Sequence, residues 1–150
     1  MPIPTATEIN VHNSLDEQRA CRHYLGKTLE EAEKLHHDGV LAYQDDLMWM
    51  GPVAFRYYVR AFIRFLHSEA ATNCPDAING FAGTLEIRLE YEPGELAPIA
   101  RELADACTYI LEHWNKFDPD PDIYGNLDAR YTTLKQAFTN LQNDEPLKSE

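Results

Sequence analysis

The chain has 150 residues, a hydrophobic fraction of 44% and a formal charge of −12, from 25 acidic and 13 basic residues. This length suits one domain, and the apolar fraction is too high for a disordered chain. The negative charge disfavours nucleic acid and membrane surfaces as partners, because both are anionic. It favours a basic protein or a cation, and the alternative is that the charge serves only to keep the chain soluble.

The cysteines indicate a reducing compartment. Cys21, Cys74 and Cys107 are odd in number and far apart, so neither a disulfide framework nor a structural zinc site is expected. We therefore expect free thiols and a cytoplasmic protein. No signal peptide is expected at the N-terminus, and no apolar run is long enough to span a membrane.

The first half of the chain predicts helices separated by glycines. Ser14 is suited to cap the first helix, and Thr28 with Glu31 matches a capping box at the start of the second. Gly26, Gly39 and Gly51 are expected to separate the elements. The predicted segments are an N-terminal arm over 1–13, helices over about 15–25 and 29–38, a short helix or turn over 40–50, and a helix from Pro52 to about Ser68.

The second half contains the one ambiguous segment, residues 76–92. Its apolar residues fit a helix, while part of it alternates as a strand would. We predict a helix, because no second strand is evident to pair with it. Further predictions are a helix from about Ile99 to Phe117, an extended acidic linker over 118–122, a last helix from about Leu127 and a frayed tail over 143–150.

These patterns together predict an all-α fold. The connections are short and no internal repeat occurs, so residues 1–150 are expected to form a single-domain helical bundle of five or six helices.

One half of a metal-binding motif is present. Glu33 and His36 form Glu-x-x-His, which places a carboxylate and an imidazole on one helix face, but the second half that a di-iron bundle needs is missing. A solvated acidic helix ending in His36 and His37 is the commoner interpretation. The acidic run over 118–122 lacks the glycine and glutamate of a calcium loop. No cofactor is predicted, and the remaining metal candidates are Glu33, His36 and His37.

A basic stripe lies on an aromatic helix within this acidic chain. Arg56, Arg60 and Arg64 follow one another at steps of four residues, which places them on one side of the helix. The stripe is either internal, paired with acids such as Asp45 and Asp46 or with acids of neighbouring helices, or it forms an anion or partner site. Internal pairing is the commoner case.

The same helix carries a family resemblance. Residues 50–62 are Met-Gly-Pro-Val-Ala-Phe-Arg-Tyr-Tyr-Val-Arg-Ala-Phe. They resemble the signature of a family of small bacterial proteins of unknown function, with an Ala-Phe-Arg-Tyr/Phe-Tyr-Leu-Pro-Ala-Phe block. Val59 and Arg60 stand in place of that leucine and proline, so no proline kink is expected. The resemblance implies a bacterial, helical, cytoplasmic protein and supplies no activity or catalytic residues.

The functional hypothesis follows from charge, because no nucleophile motif or phosphate-binding loop occurs. We predict a non-enzymatic binding protein, specifically an acidic inhibitor of the immunity-protein type that neutralises a basic toxin enzyme. The alternatives are a metal-binding or enzymatic bundle using His36, His37 and nearby carboxylates, and a structural subunit that forms a homodimer. The predicted partner-binding residues are Glu30, Glu31, Glu33, Asp45, Asp46, Trp49, Arg56, Arg60 and Arg64.

Overall fold

The fold is all-α, as the sequence predicts. The structure, a computed structural model, describes the backbone of residues 2–148 and the side chains of residues 2–143. No strand occurs within those residues. No helix in the same range is both long enough and apolar enough to cross a membrane.

The helices are more numerous than the five or six predicted. In the described chain, six helices have ten or more residues, and six shorter ones have four or five. Two 3-10 turns, Glu69–Ala71 and Ala97–Ile99, complete the secondary structure. In chain order the helices are α1 (Ala6–Ile9), α2 (Leu15–Tyr24), α3 (Leu29–Asp38), α4 (Val40–Gln44), α5 (Asp46–Trp49), α6 (Pro52–His67), α7 (Pro75–Tyr91), α8 (Pro93–Leu96), α9 (Ala100–Glu112), α10 (Trp114–Phe117), α11 (Pro121–Tyr124) and α12 (Leu127–Lys148).

The short helices arise within segments that the sequence predicts as irregular or continuous. The arm contains α1, which Thr5 and Glu8 stabilise through a reciprocal capping box. At the end of the acidic linker α11 begins, with Pro121 in its first turn, while residues 118–120 are not helical. The helix predicted to continue to Phe117 is interrupted at His113 and resumes as α10.

Two further predictions concern the second half of the chain. The helix predicted over 76–92 is confirmed as α7. The last helix is described to Lys148, past Asn143, where the frayed tail is expected to begin. Residues 149–150 of that tail lie outside the described residues.

The chain divides into two compact units, residues 1–71 and 72–150, which we call the N-terminal and C-terminal units. In the N-terminal unit α1 and α3 pack on α6, and α2 packs on α5. The aromatic face of α6 is buried, as its three- and four-residue spacing predicts. The buried aromatic residues of that face are Phe55, Tyr58, Phe62 and Phe65.

In the C-terminal unit α9 and α7 both pack on α12. Arg130 of α12 donates two hydrogen bonds to the Glu86 carboxylate of α7, from Nε at 2.9 Å and from Nη2 at 2.6 Å. The buried Tyr131 hydroxyl donates to the Ile78 carbonyl of the same helix. One turn of α12 is therefore fixed to α7 by both a charged and a neutral side chain.

A buried carboxylate fixes the end of the N-terminal arm. Ser14 caps α2, as predicted, and the Glu17 carboxylate accepts hydrogen bonds from the backbone N–H groups of Ser14, His12 and Val11 at 3.0–3.1 Å. Burial raises the pKa of Glu17, but the hydrogen bonds from Ser14, His12 and Val11 outweigh it, so the pKa is lowered.

Gly51, immediately before α6, lies against the backbone at the end of α1. Its N–H donates to the Ile9 carbonyl at 2.9 Å. A Cβ atom at position 51 would lie 2.2 Å from the Glu8 carbonyl oxygen and 2.6 Å from Val11 Cγ2. Because φ is −59°, a side chain is excluded by the neighbouring backbone rather than by the conformation of residue 51.

We expect Gly51→Ala to lower the free energy of unfolding by about 2 kcal/mol, because the Glu8 backbone must move to admit the methyl group. The matched control is Gly83→Ala within α7, where no atom lies within 4 Å of the added Cβ. It should raise that free energy by about 0.5–1 kcal/mol through helix propensity. Urea denaturation measures both, and equal midpoints for the two variants would contradict the packing argument.

Candidate functional site

A fully buried carboxylate, Asp46, organises the polar side chains of the N-terminal unit. Arg19 Nε donates to Asp46 Oδ1 at 3.0 Å, and His23 Nδ1 lies 2.6 Å from Asp46 Oδ2. Arg19 and His23 are four residues apart on α2, so they share one helix face and reach the same carboxylate. Arg19 Nη2 also donates to the exposed Asp45 at 2.6 Å. These bonds attach α2 to the start of α5.

The Asp46 carboxylate sets the orientation of the His23 ring. A carboxylate at Nδ1 favours the tautomer with the proton on that nitrogen, which leaves Nε2 as the proton acceptor. Tyr43 packs edge-on against the ring, with centroids 4.9 Å apart, and the His23 side chain is 29% exposed. These contacts tie α2, α4 and α5 together.

A second polar cluster lies deeper in the same unit, around His36. Tyr24 Oη donates to the Tyr43 carbonyl at 2.8 Å and lies 3.3 Å from His36 Nε2. His36 Nδ1 is buried and has no hydrogen-bond partner among the described residues. Burial, with a smaller effect from the neighbouring His37, lowers the pKa of His36 to about 3. The ring is therefore neutral at neutral pH and packs edge-on against Phe62, 5.0 Å away.

The metal candidates do not meet at one point. His37 Nε2 lies 3.2 Å from Glu33 Oε2 on the surface of α3, whereas His36 faces the aromatic core. Within the described residues, no group of three or more histidine, cysteine, aspartate or glutamate side chains could hold a metal ion. Glu33 therefore contacts His37 on the surface, while His36, the histidine of the half-motif, is buried.

The acids predicted to contact a partner have different environments. Glu30 and Glu31 are exposed on α3, and the Glu31 carboxylate is held by the Thr28 N–H at 2.9 Å. Hydrogen bonds from the Thr28 backbone and side chain lower the pKa of Glu31. Asp45 is exposed and bound to Arg19. Asp46 is 0% exposed, so its prediction as a partner-binding residue is wrong. Its carboxylate instead binds Arg19 and His23 inside the N-terminal unit.

The three arginines of the stripe differ in their exposure to solvent. Arg56 and Arg60 are partly buried and Arg64 is exposed. Trp49, at the end of α5, is 42% exposed. Asp45 and Asp46, which were candidates to pair with the stripe, bind Arg19 of α2. Arg19 and His23 are not among the predicted site residues, although their four-residue spacing places them on one helix face and could have indicated a shared partner.

The larger negative charge belongs to the C-terminal unit. Residues 72–150 hold 15 of the 25 acidic residues and only 6 of the 13 basic residues. Exposed acids follow one face of α9, at spacings of three and seven residues, and continue through the loop to α12. The start of α12 lies beside α10, the short helix that follows α9, since the ring centroids of Tyr131 and Trp114 are 6.3 Å apart. We call the exposed carboxylates of Glu102, Asp105, Glu112, Asp118, Asp120, Asp122 and Asp128 the acidic surface.

No family model, curated protein or solved structure matches the chain. The resemblance of residues 50–62 to a bacterial family therefore stays a prediction.

We expect Asp46→Asn to lower the free energy of unfolding by about 3 kcal/mol, because it removes the buried partner of Arg19 and His23. Asp45→Asn is the control, since the exposed Asp45 binds the same guanidinium and should contribute less than about 1 kcal/mol. Chemical denaturation at pH 7 compares the two variants. A loss of the same size in both would show that burial of Asp46 is not the cause.

The buried His36 ring should make stability depend on pH. The pKa is about 3 in the fold against 6.5 ordinarily, so between these values the unfolded chain takes up a proton that the fold excludes. The free energy of unfolding attributable to His36 should fall by about 1.4 kcal/mol per pH unit as pH decreases from 6 to 3. This contribution is fully present above pH 6.5.

The measurement is denaturant unfolding across that pH range, comparing the protein with His36→Phe. The phenylalanine keeps an aromatic ring and cannot be protonated, so its stability should fall less steeply toward low pH. His12→Gln, at an exposed side chain, should retain the original slope. An unchanged slope in His36→Phe would contradict the assignment.

Proposed function

We propose that the protein is a non-enzymatic binding protein of the immunity-protein type, which neutralises a basic partner protein. The observation that supports this most is the acidic surface of the C-terminal unit. Its seven carboxylates are exposed, and residues 72–150 carry a formal charge of −9. A basic enzyme would be attracted to such a surface at long range.

Because of the charge distribution, we place the proposed contact region in the C-terminal unit and not at the acids predicted from the sequence. The predicted contact acids lie in the N-terminal unit, where 10 acidic residues are offset by 7 basic ones. The C-terminal unit has the larger imbalance and presents it on α9 and the loop that follows. Glu30, Glu33 and Trp49 remain secondary candidates on the surface of the N-terminal unit.

Electrostatic attraction of this kind acts mainly on the rate of association. Exposed charges attract a basic partner before contact, and salt screens the attraction over about 10 Å at 0.1 M. Each exposed carboxylate contributes little to stability, so neutralising several should leave the fold intact. Binding and folding can therefore be tested separately in the same variants.

The experiment first captures binding proteins from the source organism at about 50 mM salt, and then purifies the most strongly retained one. Its association rate with the protein is measured at low and high salt. We expect a basic partner whose association slows at least about tenfold between 50 and 500 mM salt. A partner without excess positive charge, or a rate insensitive to salt, would contradict the proposal.

A matched pair of variants locates the contact. Asp105→Asn with Glu112→Gln and Asp118→Asn removes three charges from the acidic surface, and it should slow association severalfold at low salt. The control, Asp16→Asn with Asp38→Asn and Glu69→Gln, removes the same charge from the N-terminal unit at acids that are not candidate contact residues. Equal effects from the two sets would show that net charge acts without a defined surface.

A further inference from the structure

A small pocket opens within the acidic surface, where the loop after α10 leads into α12. Its volume is about 190 Å³. That is smaller than the 300–1,000 Å³ typical of small-molecule sites, and it matches the dimensions of one long side chain. The pocket is lined by Trp114, Pro119, Pro121, Gly125, Leu127 and Asp128.

The loop that forms the pocket is held by several independent constraints. Asp118 ends α10 in the left-handed conformation, with φ of 51°, and Gly125 ends α11 with φ of 65°. The Asp120 carboxylate accepts the Asp122 N–H at 2.9 Å, which caps α11. Tyr124 Oη donates to Asp76 Oδ1 at the start of α7. The two prolines also restrict the backbone, so the pocket is preformed and little ordering is required on binding.

The lining has the chemistry of a receptor for an alkyl cation. Proline and leucine side chains offer apolar walls to a methylene chain, which long basic side chains bury while keeping their charged end near polar groups. Trp114 supplies the aromatic group that attracts cations most strongly, and Asp128 supplies a carboxylate. The exposed Asp118, Asp120 and Asp122 belong to the same loop and disfavour an anionic occupant.

We propose that this pocket binds the side chain of a single lysine or arginine of the partner protein. The methylene groups contact Leu127 and the prolines, and the charged end lies near Asp128 and Trp114. The inference rests on the proposed function in one respect, which is that the side chain comes from a basic partner protein. That the side chain is basic follows from the residues that line the pocket. It gives the acidic surface a point of specific recognition in addition to long-range attraction.

The test uses small amides in place of the partner. The protein contains two tryptophans, so its indole N–H groups give two separate NMR signals, which Trp49→Phe assigns. Nα-acetyl-lysine amide and Nα-acetyl-arginine amide are titrated to about 20 mM, because one side chain is expected to bind weakly. The Trp114 signal should shift to saturation, while the Trp49 signal, from the N-terminal unit, should not.

Two comparisons separate recognition of the charge from nonspecific contact. Nα-acetyl-norleucine amide has the alkyl chain without the ammonium group and should bind at least about fivefold more weakly than the lysine compound. Asp128→Asn should weaken the lysine compound by a similar factor, whereas Glu90→Gln, at an exposed acid of α7, should not. Equal shifts with norleucine, an unaffected Asp128→Asn variant or an unmoved Trp114 signal would overturn the proposal.

The outcomes distinguish this inference from the proposed function. If a basic partner binds with the expected salt dependence but neither amide shifts Trp114, the pocket assignment is wrong and the proposed function stands. If the lysine compound binds in an Asp128-dependent way but no basic partner is recovered, the pocket is correct and the proposed function fails.

Discussion

The N-terminal unit depends on one constraint: the negative charge of a carboxylate buried away from water must be balanced by hydrogen-bond donors and positive charge. Asp46 is completely buried, so its charge requires donors, and α2 supplies Arg19 and His23 from one face. Tyr58 of α6 adds a neutral contact, because its hydroxyl lies 2.8 Å from the carbonyl of Tyr24, the last residue of α2, and from that of Lys27. Side chains from α2, α5 and α6 thereby determine how these helices pack.

How far the sequence predicts this structure varies with the range of the interaction. The amphipathic face of α6 and the helix α7 follow from local spacing, which a chain must satisfy to bury its apolar residues. The capping box at Thr5 and Glu8 has the same pattern as the one at Thr28, but the nearby prolines favoured an irregular arm. In the four-residue α1, the hydrogen bonds of the capping box stabilise a helical turn despite those prolines.

The candidate site is less predictable, because its residues come together from distant positions. Asp46 lies 27 residues from Arg19 and 23 from His23, so no local pattern distinguishes it from the exposed Asp45 beside it. The Asp-Pro-Asp-Pro-Asp run predicts an extended linker, since prolines favour extended backbone before them. Only the end of that run enters the helical turn α11, and its two prolines line a pocket that Trp114, Gly125, Leu127 and Asp128 complete.

The division into two units has a consequence for how this protein can change over evolutionary time. The buried polar groups around Asp46 lie entirely in residues 1–71, and the acidic surface lies entirely in residues 72–150. Exposed charges contribute little to folding stability, whereas breaking a buried ion pair is strongly destabilising. The surface carboxylates can thus be exchanged as a partner diverges, while selection for folding acts on a separate set of side chains.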